Sequence, residues 1–252
     1  MAKTQEQWIE DFQSRFLQAC CCDGAGFVRT NAPLGHPLFG VAIPCICQKD
    51  ELAKQRATRL RRQSGITDRQ LEQWNLEQFD PRLCKPRQGQ SKADVVAKMC
   101  EVKKRCEAYA ASPNNWLILS GDTGTGKTHL AYGIAIAQIR RGKAVYAALT
   151  ADMLDMLRNS FKEETFEDWF ATLRDVSLLV LDDLGAQKNT DWTEETLFRL
   201  LDYRHINRLP VVVTTNLRLE EGDLDARMRS RLLDGRNTAL VLPCGDFRIR
   251  RA

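Results

Sequence analysis

The chain has 252 residues, 28% of them charged, a formal net charge of +4 and nine cysteines, a length that suits one or two domains with room to bury a core. No apolar run approaches the roughly 18 residues that a membrane-spanning helix needs, and the first residues carry no signal-peptide pattern, so a cytoplasmic protein with no membrane partner is expected. Charges of both signs are mixed along the chain, which neither demands nor excludes nucleic acid.

Five of the nine cysteines fall between residues 20 and 47. The run Cys20-Cys21-Cys22-Asp-Gly-Ala-Gly, then His36, then Cys45-Ile-Cys47 supplies soft ligands around glycine turns, in a segment too short to be held by an apolar core. A tetrahedral Zn²⁺ on Cys20, Cys22, Cys45 and Cys47, with His36 in reserve, would serve as that core; the other reading is a set of free thiols. Residues 49–63 carry Leu52, Arg56 and Leu60 at helical spacing among Lys54, Arg59, Arg61 and Arg62, the pattern of a basic solvated helix that stops at Gly65. Thr67-Asp-Arg-Gln70 forms a capping box, with Ile66 and Leu71 as a hydrophobic staple, and opens a helix towards Phe79. Pro81, Pro86 and Gly89 mark residues 81–92 as a linker into a further helix over 93–111. The expected organisation is therefore a cysteine-rich partner-binding domain at 1–80, the linker, and a larger domain at 93–252.

Trp116-Leu-Ile-Leu119 reads as a buried strand, and a helical pattern begins at His129. Between them stand Gly121, Asp122, Thr123, Gly124, Thr125, Gly126, Lys127 and Thr128, a Walker A loop in its strand-turn-helix setting. Its glycines allow backbone N–H groups and the helix N-terminus to converge on phosphate oxygens. Lys127 adds a charge for the β- and γ-phosphates, and the Thr128 hydroxyl is a ligand for Mg²⁺.

Residues 177–185, Ser-Leu-Leu-Val-Leu-Asp-Asp-Leu-Gly, form a continuous apolar run that ends in two carboxylates, a Walker B pattern on a strand buried on both faces. Asp182 is placed to hold Mg²⁺, and Asp183 to orient the attacking water. A third run, Val211-Val-Val-Thr-Thr215, ends at Asn216, which is placed to hold that water or to sense the γ-phosphate; the alternative is a simple turn start. Next, Arg227 and Arg231 lie at i, i+4 on one helix face. A solvated face is the ordinary reading, but their place after the Asn216 strand suggests a finger for a neighbouring subunit's nucleotide. Phe166, Trp169 and Phe170 at i, i+3, i+4 read as a core face before base-stacking groups. Arg140, Arg141 and Lys143 are an unspecific candidate for phosphate contact.

As a set, residues 121–128, Leu179-Val-Leu-Asp-Asp-Leu-Gly-Ala186, Trp192, Thr214-Thr-Asn216 and Ser230-Arg-Leu232 resemble the AAA+ ATPases of the bacterial helicase-loader type, DnaC and DnaI, and the related transposition helper IstB. The resemblance covers residues 76–248. It implies an α/β fold with a central parallel sheet flanked by helices, ATP and Mg²⁺ as cofactors, Asn216 as sensor 1 and Arg231 as arginine finger. It also implies a chain without a full C-terminal lid, and Arg248, in a closing Gly-x-x-Arg pattern, as a phosphate contact. The cysteine segment is similar to a zinc knuckle, and the DnaI group has a zinc-binding N-terminal domain; here the residue three before Cys22 is Ala19, so the first ligand shifts to Cys20. Where the family often has Asp-Glu, this chain has Asp182-Asp183, and the shorter second acid implies slower hydrolysis. An extra helical element between the second strand and the Walker B strand implies a channel for single-stranded DNA, near Phe161 and Lys162. The implied function is an ATP-dependent, homo-oligomeric loader of a replicative DNA helicase on single-stranded DNA. The alternatives are an IstB-like helper that binds duplex DNA and a transposase, and a P-loop small-molecule kinase, against which Thr214-Thr-Asn216 and Arg231 argue.

Overall fold

The strand-forming runs at 116–119, 178–181 and 211–213 are apolar at every position, so both faces of each strand must be covered. In the computed structural model they are, by helices on either side of one sheet. The structure describes residues 4–16, 22, 25–45, 64–188, 190–217 and 224–247; Cys20, Cys47, the basic stretch 49–63 and Arg248 lie outside them. The chain divides into two compact units, Met1–Arg59 and Leu60–Ala252.

In the smaller unit, helix α1 (Gln5–Phe16) accompanies an antiparallel hairpin of β1 (Phe27–Arg29) and β2 (Ala42–Pro44), with Val28 opposite Ile43. Leu38 and Ile43 are buried and packed by Trp8, Ile9, Phe12 and Val28, so the segment has a small apolar centre of its own. Cys22 and Cys45 are both buried and meet the same glycine: Gly26 donates its N–H to Cys22 Sγ at 3.2 Å, and its carbonyl accepts the Cys45 N–H at 2.9 Å. The His36 Nδ1 accepts the Leu38 N–H at 3.1 Å. Among the described residues no three metal-ligating side chains come together, and two of the four expected ligands, Cys20 and Cys47, are outside that set.

The larger unit opens with a segment that packs on its five-stranded sheet rather than standing apart from it. The capping box at Thr67 is present, but helix α2 (Asp68–Gln73) stops well short of Phe79. Asn75 breaks it by capping a separate 3-10 turn, Leu76–Gln78, with its own side chain. The Ser64 carbonyl accepts the Ala147 N–H at 2.8 Å, and Ile66, Leu76 and Phe79 are buried in the larger unit's core. A second 3-10 turn, Pro81–Leu83, leads towards helix α3 (Lys92–Ala111).

Five parallel strands follow: β3 (Trp116–Ser120), β4 (Val145–Leu149), β5 (Leu178–Asp182), β6 (Val211–Thr215) and β7 (Thr238–Val241), in the order β4-β5-β6-β3-β7. Alternation within each strand sorts side chains between two cores. Leu117, Leu119, Val180 and Val212 pack with α3 and helix α4 (Lys127–Arg140) on one face. Ile118, Leu179, Leu181, Val211 and Val213 pack on the other with helices α5 (Thr150–Ser160), α6 (Phe166–Asp175), α7 (Asp191–Ile206) and α8 (Ala226–Leu232). Phe166 and Phe170 are buried in that second core and Trp169 packs against it, as their spacing predicts. Because all five strands run the same way, the ends of β3, β5 and β6 present their loops at one edge of the sheet.

One buried charge holds the opposite edge. Arg204, 0% exposed, donates to the carbonyls of Leu173, Arg174, Val176 and Pro210 at 2.7–3.0 Å, tying the approach to β5 to the approach to β6. Burial pulls its pKa down to about 10. Truncating Arg204 to Ala removes four buried hydrogen bonds, so a loss of about 3 kcal/mol or more is expected in urea unfolding monitored by circular dichroism. Arg141 donates to the Ala110 carbonyl at the end of α3.

Candidate active site

The loop at the end of β3 is shaped by backbone that only glycine accepts. Gly124 (φ +77°) and Gly126 (φ +93°) lie in the left-handed region. A Cβ at Gly124 would also collide with the Asp246 carboxylate, and one at Gly126 would come within 2.7 Å of Phe79 Cε2. Gly126 begins α4 without a side-chain cap, so the first amides of that helix are donors for an anionic ligand. The side chains of the loop do other work: Thr125 Oγ1 bonds the Asp122 carbonyl at 2.9 Å, and the Asp122 carboxylate pairs with Arg87 at 2.8 Å. Thr123 and Gly124 line the larger cavity beside the loop.

Lys127 is the pivot of the site. It is 6% exposed, and its Nζ donates to the carbonyls of Gly121 (2.8 Å) and Asp122 (2.7 Å) and to Asn216 Oδ1 (2.8 Å). Burial lowers its pKa, while the carboxylates of Asp183, Asp182 and Asp122 act to keep it charged. Asn216 passes the contact on, donating from Nδ2 to Asp183 Oδ1 at 2.7 Å. Lysine, sensor position and second acid, from three different strand ends, thus form one hydrogen-bonded chain.

The first acid has a separate set of partners. Asp182, 2% exposed, accepts at Oδ1 from Thr128 Oγ1 at 2.9 Å and from Thr214 Oγ1 at 2.6 Å. Burial pushes its carboxyl up, and the Thr214 and Thr128 hydroxyls draw it back. A buried carboxylate beside a threonine hydroxyl is an oxygen donor set of the kind Mg²⁺ takes, and a bound cation would supply the charge that the burial of Asp182 leaves uncompensated. Asp183 has φ +55°, unusual for a residue with a side chain.

Two cavities adjoin the loop. One of about 610 Å³ contains Lys127, Thr128, Asp182, Asp183, Thr214 and Asn216 in its lining. The other, about 370 Å³, lies between Phe79, Gly126, His129 and Phe247. Phe79 and Phe247 stand 6.2 Å apart across it. The chain after β7 reaches this place as a strap: the Gly245 N–H donates to the Lys85 carbonyl and the Phe247 N–H to the Gly124 carbonyl, at 2.8 and 2.9 Å. Arg248 is the next residue. Its place beyond Phe247 is outside the described residues, and so is any contact it makes.

Arg231 is apart from this group. It sits on α8 with its guanidinium on Asp202 of α7 at 2.8 Å, and it lines neither cavity. Arg227 pairs with Asp225 and covers the Phe198 ring. Thr214, His129 and Phe247 were not expected as site residues. For Thr214 there is a signal in the sequence, a hydroxyl inside an otherwise apolar strand; for Phe247 there is none, because only the return of the strap brings it to the loop.

A family described as IstB-like ATP binding protein matches residues 52–237. The replicative helicase loader DnaC of Escherichia coli K12 is 29% identical over 137 residues, covering 53% of this chain and 56% of that protein. The chain therefore spans little more than half the length of that relative. A Mycobacterium tuberculosis protein named for ATP binding in an insertion sequence is 27% identical over 189 residues, 74% of this chain and 68% of that one. A solved structure of the DnaC helicase loader superposes with a TM-score of 0.54 at 24% identity, over 69% of this chain and 99% of that one. DnaI superposes with a TM-score of 0.55 at 20% identity, over 71% and 95%. The superpositions show a shared fold.

Proposed function

The chain belongs to the IstB-like ATP-binding protein family, and from that premise we propose that it is an ATP-hydrolysing loader that delivers a replicative DNA helicase to single-stranded DNA. The observation that carries the ATP-hydrolysing part of this reading is the Lys127–Asn216–Asp183 chain, which links the phosphate-binding lysine to the acid and amide that would handle the lytic water; the loader part rests on the similarity to the replicative helicase loader DnaC. In this reading the amides of residues 121–128 and Lys127 hold the β- and γ-phosphates of ATP, with Arg248 as a further phosphate contact. Thr128 and Asp182 would hold Mg²⁺, whose charge stabilises the phosphoryl oxygens. On binding, the γ-phosphate competes with Asn216 for the Lys127 ammonium. Release of Asn216 frees it to report the nucleotide and to set, with Asp183, the position of the attacking water. Arg231 acts in trans, on the nucleotide of a second copy in an ATP-dependent homo-oligomer.

The helicase contact is assigned to the smaller unit, which exposes Phe27, Leu34 and Phe39. This reading gives the smaller unit a zinc site on Cys22 and Cys45, which are both buried, together with Cys20 and Cys47. Metal analysis of protein purified without added metal is expected to give close to one zinc per chain, and the double change Cys45→Ser, Cys47→Ser to remove it and unfold only the smaller unit. Stoichiometric zinc in the double variant would show a different ligand set. Single-stranded DNA is assigned to the surface around Phe161, the exposed aromatic residue just beyond α5. There Phe161, 51% exposed, stacks on Phe166 at 4.1 Å, and Arg158 covers the Trp192 ring at 4.8 Å, a platform suited to bases and phosphates.

Membership of the IstB-like family and the insertion-sequence relative favour a second reading, a transposition helper acting on duplex DNA with a transposase. Fluorescence anisotropy with labelled single-stranded and duplex oligonucleotides, with and without ATP, separates the two. The loader reading expects ATP to strengthen binding to the single strand; preference for the duplex transfers the chain to the second reading.

A further inference from the structure

We propose that Thr214 is the positioning residue that sets both acids of the site at once. This inference rests on the reading of Asp182 and Asp183 given above. Thr214 is 1% exposed near the end of β6. The pairing of β5 with β6 runs from Leu179 opposite Val211 to Leu181 opposite Val213 and stops there. Beyond that point the link between the two strands passes to Thr214. The Thr214 hydroxyl donates its single proton to Asp182 Oδ1 at 2.6 Å, its Oγ1 accepts the Asp183 N–H at 2.8 Å, and the Thr214 carbonyl accepts the Leu184 N–H at 2.8 Å.

Three consecutive residues are therefore bonded to one threonine. Two consequences follow from the geometry. Both hydroxyls that reach Asp182, from Thr128 and Thr214, bond Oδ1, which fixes the rotation of the carboxylate and leaves Oδ2 as the oxygen for a cation or its water. Asp183, with φ +55°, is in a conformation that a residue with a Cβ adopts at a cost. It is held there because the amides of Asp183 and Leu184 are both bonded to Thr214, so its carboxylate is delivered to Asn216. Valine has nearly the same shape and β-branching but no hydroxyl, and serine keeps the hydroxyl without the methyl group.

The test is Mg²⁺-dependent binding of a ribose-labelled fluorescent ATP analogue to the full chain, with EDTA as the metal-free reference. For Thr214→Val the midpoint of the Mg²⁺ titration is expected to rise by about tenfold, the scale for loss of a group that orients a metal ligand, with binding in EDTA unchanged. Thr214→Ser is expected to return the midpoint to near the wild-type value. Thermal melting identifies a variant that does not fold; Thr214→Ala, which removes the same hydroxyl, is then read in its place. A wild-type midpoint in the Val or Ala variant overturns the proposal. So does an equal loss of binding in EDTA and in Mg²⁺, or failure of Ser to restore, since either marks Thr214 as a packing residue. If the wild-type chain itself shows Mg²⁺-independent binding, it is the placement of the cation at Asp182 that fails, and this inference fails with it.

Discussion

Lys127→Ala is expected to abolish useful affinity for ATP while leaving the fold intact. In the ligand-free protein the ammonium is held by two loop carbonyls and Asn216, all of which water can satisfy when the side chain is gone. The phosphates have no such substitute. Loss of a buried, hydrogen-bonded charge from an ionic contact costs about 2 kcal/mol or more, so the dissociation constant for a fluorescent ATP analogue is expected to rise by about 30-fold or more. Asp183→Asn should separate binding from chemistry. The amide still accepts from Asn216, so affinity is expected to stay within a few-fold of wild type, while hydrolysis slows by about 100-fold through loss of the basic oxygen. Equal hydrolysis by wild type and Asp183→Asn would remove the role given to Asp183.

Arg231→Ala is expected to reduce hydrolysis by about 1000-fold with ATP binding preserved, because a finger supplied between subunits stabilises charge that develops only in the transition state. In the single chain this arginine is held on Asp202, away from the lysine and both acids. Mixing is the informative step. Lys127→Ala and Arg231→Ala chains, each nearly inactive, should recover part of the activity together, since one type of junction then joins an intact pocket to an intact finger. Activity should also rise with protein concentration. Full, concentration-independent hydrolysis by Arg231→Ala would show that the site completes itself within one chain.

The parallel sheet and its phosphate loop are legible in the sequence because they depend on local patterns. Apolar runs such as Val211-Val-Val and Leu178-Leu-Val-Leu have no solvent face, and the glycine spacing at 121, 124 and 126 has one structural use in front of a helix. The acids and Asn216 are legible for the same reason, as polar residues at the ends of those runs. What is not legible depends on chain returning from a distance. The segment 64–80 reads as part of the N-terminal region until Ser64 is seen on β4 and Phe79 beside Gly126. Phe247 reads as a tail residue until the strap carries it to Gly124. The helix at Thr67 is legible at its start, where the capping box is local, and not at its end, where the side chain of Asn75 takes the chain into a 3-10 turn. Arg204 gives no signal at all, since the four carbonyls it binds come from the end of α6, the residue that caps it, and the residue before β6.

The most direct test of the account is helicase delivery. The replicative helicase of the same genome is mixed with circular single-stranded DNA, which offers a ring no free end, and DNA-bound helicase is separated by gel filtration. With this protein and ATP the helicase is expected to elute with the DNA; without the protein, or with the Lys127→Ala chain, it is expected to elute alone. Helicase that remains off the DNA with wild-type protein and ATP, while the protein itself binds duplex DNA, would contradict the account.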